Sequence, residues 1–170
     1  MKSGKKQSSV AVVMGSQSDL GIMQSCVDQL RQFGIEPVVR IISAHRTPDI
    51  AAEFADNAHC EGIRVIIAAA GMAAHLAGAV AGRTTLPVIG VPLAAGGSPG
   101  GIDALLSTVQ MPAGVPVASM AIGKAGAKNA AIFAVQILAI SDAGLAERLA
   151  KFRKDQRQEV ISKDCALQED

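Results

Sequence analysis

The segment SAHRTPD, residues 43–49, follows an apolar run and places a hydroxyl, an imidazole and a guanidinium within four residues. His45 can take and return a proton, because an unperturbed imidazole titrates at about pH 6.5. Arg46 offers a charge-assisted, bidentate contact to a phosphate. Each has a plainer role in competition: a solvated or structurally bonded ring for His45, a surface ion pair with Asp49 or Glu53 for Arg46. A second loop, GSQSD at residues 15–19, precedes a helical pattern. Free backbone N–H groups and the Ser16 and Ser18 hydroxyls suit a phosphate there. Ser18 or Asp19 can instead be a simple helix cap, and Asp19 can alternatively accept from sugar hydroxyls. His75, in AAGMAAH, sits where an apolar run meets a helical pattern, so capping or packing competes with chemistry. His59, beside Cys60 near a helix end, is read as serving that terminus electrostatically and is given no function.

The elements that must position these groups read as alternating strands and helices. Apolar runs at 10–14, 37–42, 64–69, 87–91 and 116–121 are expected to be strands, and most are apolar throughout, as parallel strands covered on both faces are. Leu20, Met23, Val27 and Leu30 recur at helical spacing, and Gly34 closes that helix. Thr47 and Pro48 are an N-cap and first-turn proline for the next helix. Further helices are expected at 73–82, 102–109 and 127–140, the last buried on several sides. Ser141 and Asp142 cap a charged C-terminal helix with a Leu145, Leu149 and Phe152 stripe and an exposed Glu147–Lys151 pair. Beyond about residue 159 the polar end is expected to fray. The division is a tail at 1–9, one α/β domain at 10–160 and a polar tail at 161–170, with three layers around a parallel sheet. In such a sheet ligands bind at the carboxyl ends of strands. The loops GSQSD, SAHR, AAGMAAH and PLAAGGSPGG then line one cleft, although they are distant in sequence.

Composition narrows the function classes. At 170 residues, 49% hydrophobic and 18% charged, the chain has the material for a real core and is not a disordered segment. Four Phe with no Trp or Tyr leave Ala, Val, Ile, Leu and Met to fill it, which favours hiding apolar surface against copies of the same chain. Sixteen basic against fifteen acidic residues supply no field for nucleic acid or an anionic membrane. Three scattered cysteines read as reduced thiols, and the run VAVVMG is too short for a signal-peptide core, so a soluble cytoplasmic protein is expected. The dinucleotide, P-loop and nucleophile-elbow signatures are missing, and three separated histidines without partner spacing do not make a zinc site.

The segments MGSQSD, SAHRTPD, AAHL, VQMPAGVPVA and AKNAA together resemble the N5-carboxyaminoimidazole ribonucleotide mutases of purine biosynthesis, the PurE type, over about residues 10–150. The resemblance implies a flavodoxin-like α/β/α sandwich, a homo-octamer with sites completed by neighbouring subunits, and neither metal nor organic cofactor. It implies that Ser16, Ser18 and Arg46 hold the ribonucleotide phosphate and Asp19 the ribose. Ser43, Ala70, Gly71 and His75 would surround the migrating carboxylate, with Gly15, Ala44 and Leu76 beside them. His45 would be the general acid and base.

Three positions depart from the family's usual third loop: Met72 and Ala69 stand for glycines, and Ala77 for a proline. The LAAGGSPGG loop is about one residue longer than in many relatives. Arg46 favours the mutase over the family's direct CO2-dependent carboxylases, which usually carry Lys there. A direct carboxylase, a mononucleotide-binding flavodoxin-like module and a purely structural oligomer are the alternatives; the lack of Trp and Tyr argues against flavin stacking.

Overall fold

Alternate residues along three central strands face opposite layers, and that alternation organises the molecule. A computed structural model describes residues 9–96 and 99–168. Strands β1 (Val10–Met14), β2 (Val38–Ile41), β3 (Val65–Gly71), β4 (Val88–Leu93) and β5 (Ala118–Ser119) form one all-parallel sheet in the order β2-β1-β3-β4-β5. Helices α1 (Leu20–Gln32), α2 (Pro48–Asn57), α3 (Leu76–Ala81), α4 (Ile102–Val109), α5 (Gly123–Ala139) and α6 (Ala143–Gln168) connect or follow them. Val10, Val12 and Met14 of β1, Val65 and Ile67 of β3 and Ile89 and Val91 of β4 pack against α1, α5 and Leu145 of α6. Their neighbours Ala11, Val13, Ile66, Ala68 and Val88 face Ala51, Phe54 and Ala55 of α2 and Leu76, Ala77 and Val80 of α3. Each fully buried Val, Ile or Leu contributes about 1.5–3 kcal/mol. The result is a three-layer sandwich with the flavodoxin-like strand order.

Small residues set how closely the layers approach. A Cβ at Gly90 would lie 2.3 Å from Thr108 Cγ2 and 2.9 Å from Val117 Cγ1, so only glycine lets α4 sit this close to β4. Gly78 likewise receives Met111, whose Sδ would stand 3.0 Å from a Cβ there. The motif pieces around Gly78 and Met111 therefore record packing of a loop on α3. Gly34, at φ 76°, ends α1, with Ile35 N–H donating to the Leu30 carbonyl.

Several expectations need correction. β2 is an edge strand, and Val39 and Ile41 are 39% and 52% exposed where a covered strand was expected. β5 is two residues long instead of six. α3 starts at Leu76, three residues later than expected, and α5 starts at Gly123, earlier than expected. Thr47 occupies the N-cap of α2 without a capping bond; its hydroxyl donates to the Ser43 carbonyl and accepts from Ser43 N–H. Asp142 does cap α6, accepting from Leu145 N–H at 3.0 Å. Lys151 pairs with Asp155 at 2.5 Å, not with Glu147. The end that was expected to fray continues as helix to Gln168, with Lys163 pairing Glu159. The expected tail at 1–9 lies outside the described residues except for Ser9, whose carbonyl accepts from Arg64 and Val65 N–H. Among the described residues no helix is long and apolar enough to cross a membrane.

Candidate active site

At the carboxyl ends of the strands, where the chain order turns from β1 outward to β2 and back to β3, lies a cleft of about 480 Å³. All twelve residues singled out from the sequence line it: Gly15, Ser16, Ser18, Asp19, Ser43, Ala44, His45, Arg46, Ala70, Gly71, His75 and Leu76. Met72, Ala73 and Ala95 line it as well and were not in that set. Only Ala95 comes from the long loop after β4; residues 97 and 98 of that loop lie outside the described residues.

β1 delivers the first loop. Gly15 N–H still donates to the Ala69 carbonyl of β3, and the chain then turns into a 3-10 turn at Gln17–Asp19. Ser16 caps the 3-10 turn, its Oγ accepting from Ser18 N–H at 3.4 Å and from the Ser18 hydroxyl at 3.0 Å, while Asp19 stands at the N-cap of α1 without a side-chain bond into that helix. Asp19 completes the box by accepting from Ser16 N–H at 3.0 Å. Burial holds the Asp19 carboxyl above its ordinary value, and bonds from Ser16 and Ser18 with the nearby Arg46 charge partly offset this. The capping reading is thus realised. It does not consume the loop, because the Ser18 side is exposed at the cleft.

β2 delivers Ser43, Ala44, His45 and Arg46 in a turn closed by Thr47 N–H to the Ser43 carbonyl. Arg46 does not reach for Asp49 or Glu53. Its guanidinium donates to the Gly15 carbonyl at 2.6 Å, while its Nε and backbone N–H point at Ser43 Oγ at 3.4 and 3.1 Å. The cation is therefore stitched between the first two loops, beside the two serines. Ser43 Oγ accepts from Arg46, a role that leaves its own O–H able to donate.

β3 delivers Gly71, Met72 and His75. Gly71 leaves little room for a side chain: a Cβ would meet Ala95 Cβ at 3.0 Å and the Leu93 carbonyl at 3.1 Å. Met72 follows at φ 54°, the only non-glycine residue with positive φ among those described, and 61% of it is exposed. That conformation costs an L-residue about 1–2 kcal/mol. His75 stands at the N-cap of α3 but makes no side-chain capping bond. Its Nδ1 lies 2.9 Å from His45 Nε2, with ring centroids 5.0 Å apart. No sequence signal announces this pairing, since thirty positions separate the two rings. His59 is exposed in the turn that follows α2, and its carbonyl accepts from Gly62 N–H.

The cleft thus combines one end rich in hydroxyls and N–H groups next to a guanidinium, a pair of imidazoles, and a floor of Ala and Gly where strand ends nearly touch. It can hold a phosphorylated ligand and move a proton at the other end. Comparison with known proteins agrees with that chemistry. A family model described as AIR carboxylase matches residues 9–159. The N5-carboxyaminoimidazole ribonucleotide mutase of Saccharolobus solfataricus is 53% identical over 153 residues, covering 90% of this chain and 95% of the relative. That of Escherichia coli is 48% identical over 161 residues, covering 95% of each. A crystal structure of Treponema denticola PurE superposes with a TM-score of 0.83 at 30% identity, covering 93% of this chain and 97% of that one. With the match extending from the first strand into the last helix, the chain belongs to the AIR carboxylase family.

Proposed function

We propose that this chain converts N5-carboxyaminoimidazole ribonucleotide to 4-carboxy-5-aminoimidazole ribonucleotide, with His45 as the general acid and base. The observation that carries the reading is the common cleft: a phosphate-suited loop, Arg46 and His45 face one another beside the small-residue end of β3. The relatives named as this mutase support the choice of substrate.

The reaction needs no nucleophile. The bond between N5 and the carboxyl carbon breaks, its electron pair stays on N5, and His45 supplies a proton there. Neutral CO2 remains in the cleft. The C4 carbon of the aminoimidazole ring then attacks it, and His45, now neutral, removes the C4 proton. The imidazole ends as it began, so one ring serves both proton transfers in sequence. Ser16, Ser18 and Arg46 hold the phosphate, Asp19 the ribose hydroxyls, and Ala70, Gly71 and His75 surround the carboxyl group. Gly15, Ala44 and Leu76 shape the walls. Ser43 joins Ala70, Gly71 and His75 at the carboxyl group, its Oγ also accepting from Arg46 Nε.

The test is an assay on the carbamate substrate without ATP or added metal. Turnover is expected. Conversion of aminoimidazole ribonucleotide with bicarbonate, in place of carbamate turnover, would establish the direct carboxylase instead. The same reading makes the working form a cytoplasmic homo-octamer. Exposed Val39, Ile41, Ile102 and Leu106 support self-association, and a stable monomer in sedimentation at micromolar concentration would refute it.

A further inference from the structure

We propose that Met72 is a movable apolar wall that keeps CO2 inside the cleft between the two halves of the reaction. The inference rests on the mutase reading above and assigns a role to a residue that reading does not use. Among the described residues lining the cleft, only Met72 and Leu76 carry long apolar side chains; the others are polar or are Ala and Gly. Leu76 is 2% exposed and fixed in the core under α3, so it cannot close over anything. Met72 is 61% exposed and belongs to the same lining as His45 and His75.

The backbone gives the second argument. Gly71 lies close under Ala95 and the Leu93 carbonyl, where a Cβ would be tight, and the chain leaves that corner by a left-handed conformation at the next residue. Glycine would adopt it without strain. A large side chain carried there at a cost points to a use for the side chain, since strain of this kind collects at working sites. A thioether with three rotatable bonds adapts to the ligand beneath it. Folded over the imidazole end, it excludes water and leaves the freed CO2 no easy exit, and exclusion of this kind suppresses leakage of reactive intermediates.

Met72→Gly and Met72→Leu separate this role from a structural one. Unlabelled carbamate substrate is turned over in buffer containing ¹³C-bicarbonate and carbonic anhydrase, and the label in the C4 carboxyl of the product is measured at early times. The unmodified chain and Met72→Leu should give little label, and Met72→Gly several-fold more, with more aminoimidazole ribonucleotide released per turnover. Met72→Gly relieves backbone strain and should fold, and sedimentation of all three proteins is run alongside. Equal labelling in the three would overturn the inference alone, whether or not assembly changes. No turnover by the unmodified chain would sink the mutase reading and this inference with it.

Discussion

His45 Nε2 lies 2.9 Å from His75 Nδ1, and the two ring planes cross at 79°. At that distance one nitrogen must donate and the other accept, so at least one ring is neutral and the two tautomers are complementary. The contact orients His45 from a different strand end, and its neighbour Arg46 is tied to the first loop through the Gly15 carbonyl. His45 is therefore held from both sides, whereas His75 is held by its own backbone at the start of α3.

The pair yields a paired test. His45→Asn keeps approximate size but cannot shuttle a proton at neutral pH. It should retain ribonucleotide binding while kcat falls about 10²–10⁴-fold, the usual worth of general acid–base catalysis. His75→Asn still offers an amide to His45 Nε2 and should cost much less. A dead His75→Asn beside a near-normal His45→Asn would make His75 the proton carrier.

What the sequence made legible follows from how the site is built. β1 and α4 have the bounds read from their apolar patterns, one a short apolar run ended by a turn signal and the other a short amphipathic helix. Edge position does not: Val39 and Ile41 read like core residues, and only the strand order exposes them. Helix α6 runs on to Gln168 because Lys, Arg, Gln and Glu are good helix formers and two i,i+4 pairs support an exposed face. The cleft residues were legible because one rule of parallel sheets gathers the strand ends. The imidazole pairing, the Ser43–Arg46 contact and the left-handed turn at Met72 depend on side-chain and loop geometry that no spacing encodes.

Asp19 carries a pH signature. Its carboxyl is held above the ordinary value, chiefly by burial. A raised acid pKa favours the folded state when the group is protonated, and that favour is lost as pH rises through the folded value. The ionised carboxylate therefore burdens the fold at neutral pH. Asp19→Asn, whose amide oxygen can still accept from Ser16 N–H, should melt higher than the parent at pH 7. The difference should shrink as the pH falls through the titration of Asp19. Substrate KM should rise at pH 7 if the carboxylate accepts from ribose. A lower melting temperature at pH 7 would mean that the capping bond outweighs desolvation.

The approach of α4 to the sheet predicts a repairable defect. Gly90→Ala introduces a Cβ 2.3 Å from Thr108 Cγ2, and overpacking of this kind costs about 1–3 kcal/mol. Thr108→Ser removes that methyl group and keeps the hydroxyl that donates to the Ala104 carbonyl at 2.7 Å. The double variant should recover part of the loss in urea unfolding, leaving the Val117 contact unrelieved. Additive losses in the two variants would show that α4 yields by shifting as a whole.

Arg46 has two jobs that substitution can separate. It braces the cleft by donating to the Gly15 carbonyl and facing Ser43 Oγ, and its charge lies beside Ser16 and Ser18. A charge-assisted contact is worth about 1.5–3 kcal/mol, so Arg46→Ala should raise substrate KM by roughly 10–150-fold. If the brace also sets His45, kcat will fall too, and Ser43→Ala should reproduce the kcat part without the KM part, because it removes an acceptor from Arg46 but leaves the charge. Arg46→Lys keeps a charge and cannot reach both partners with one planar group, so its KM should lie between those of the parent and Arg46→Ala. An unchanged KM in Arg46→Ala with a lowered kcat would place the guanidinium in the chemistry, and the phosphate would then have to rest on Ser16, Ser18 and the backbone of the first loop.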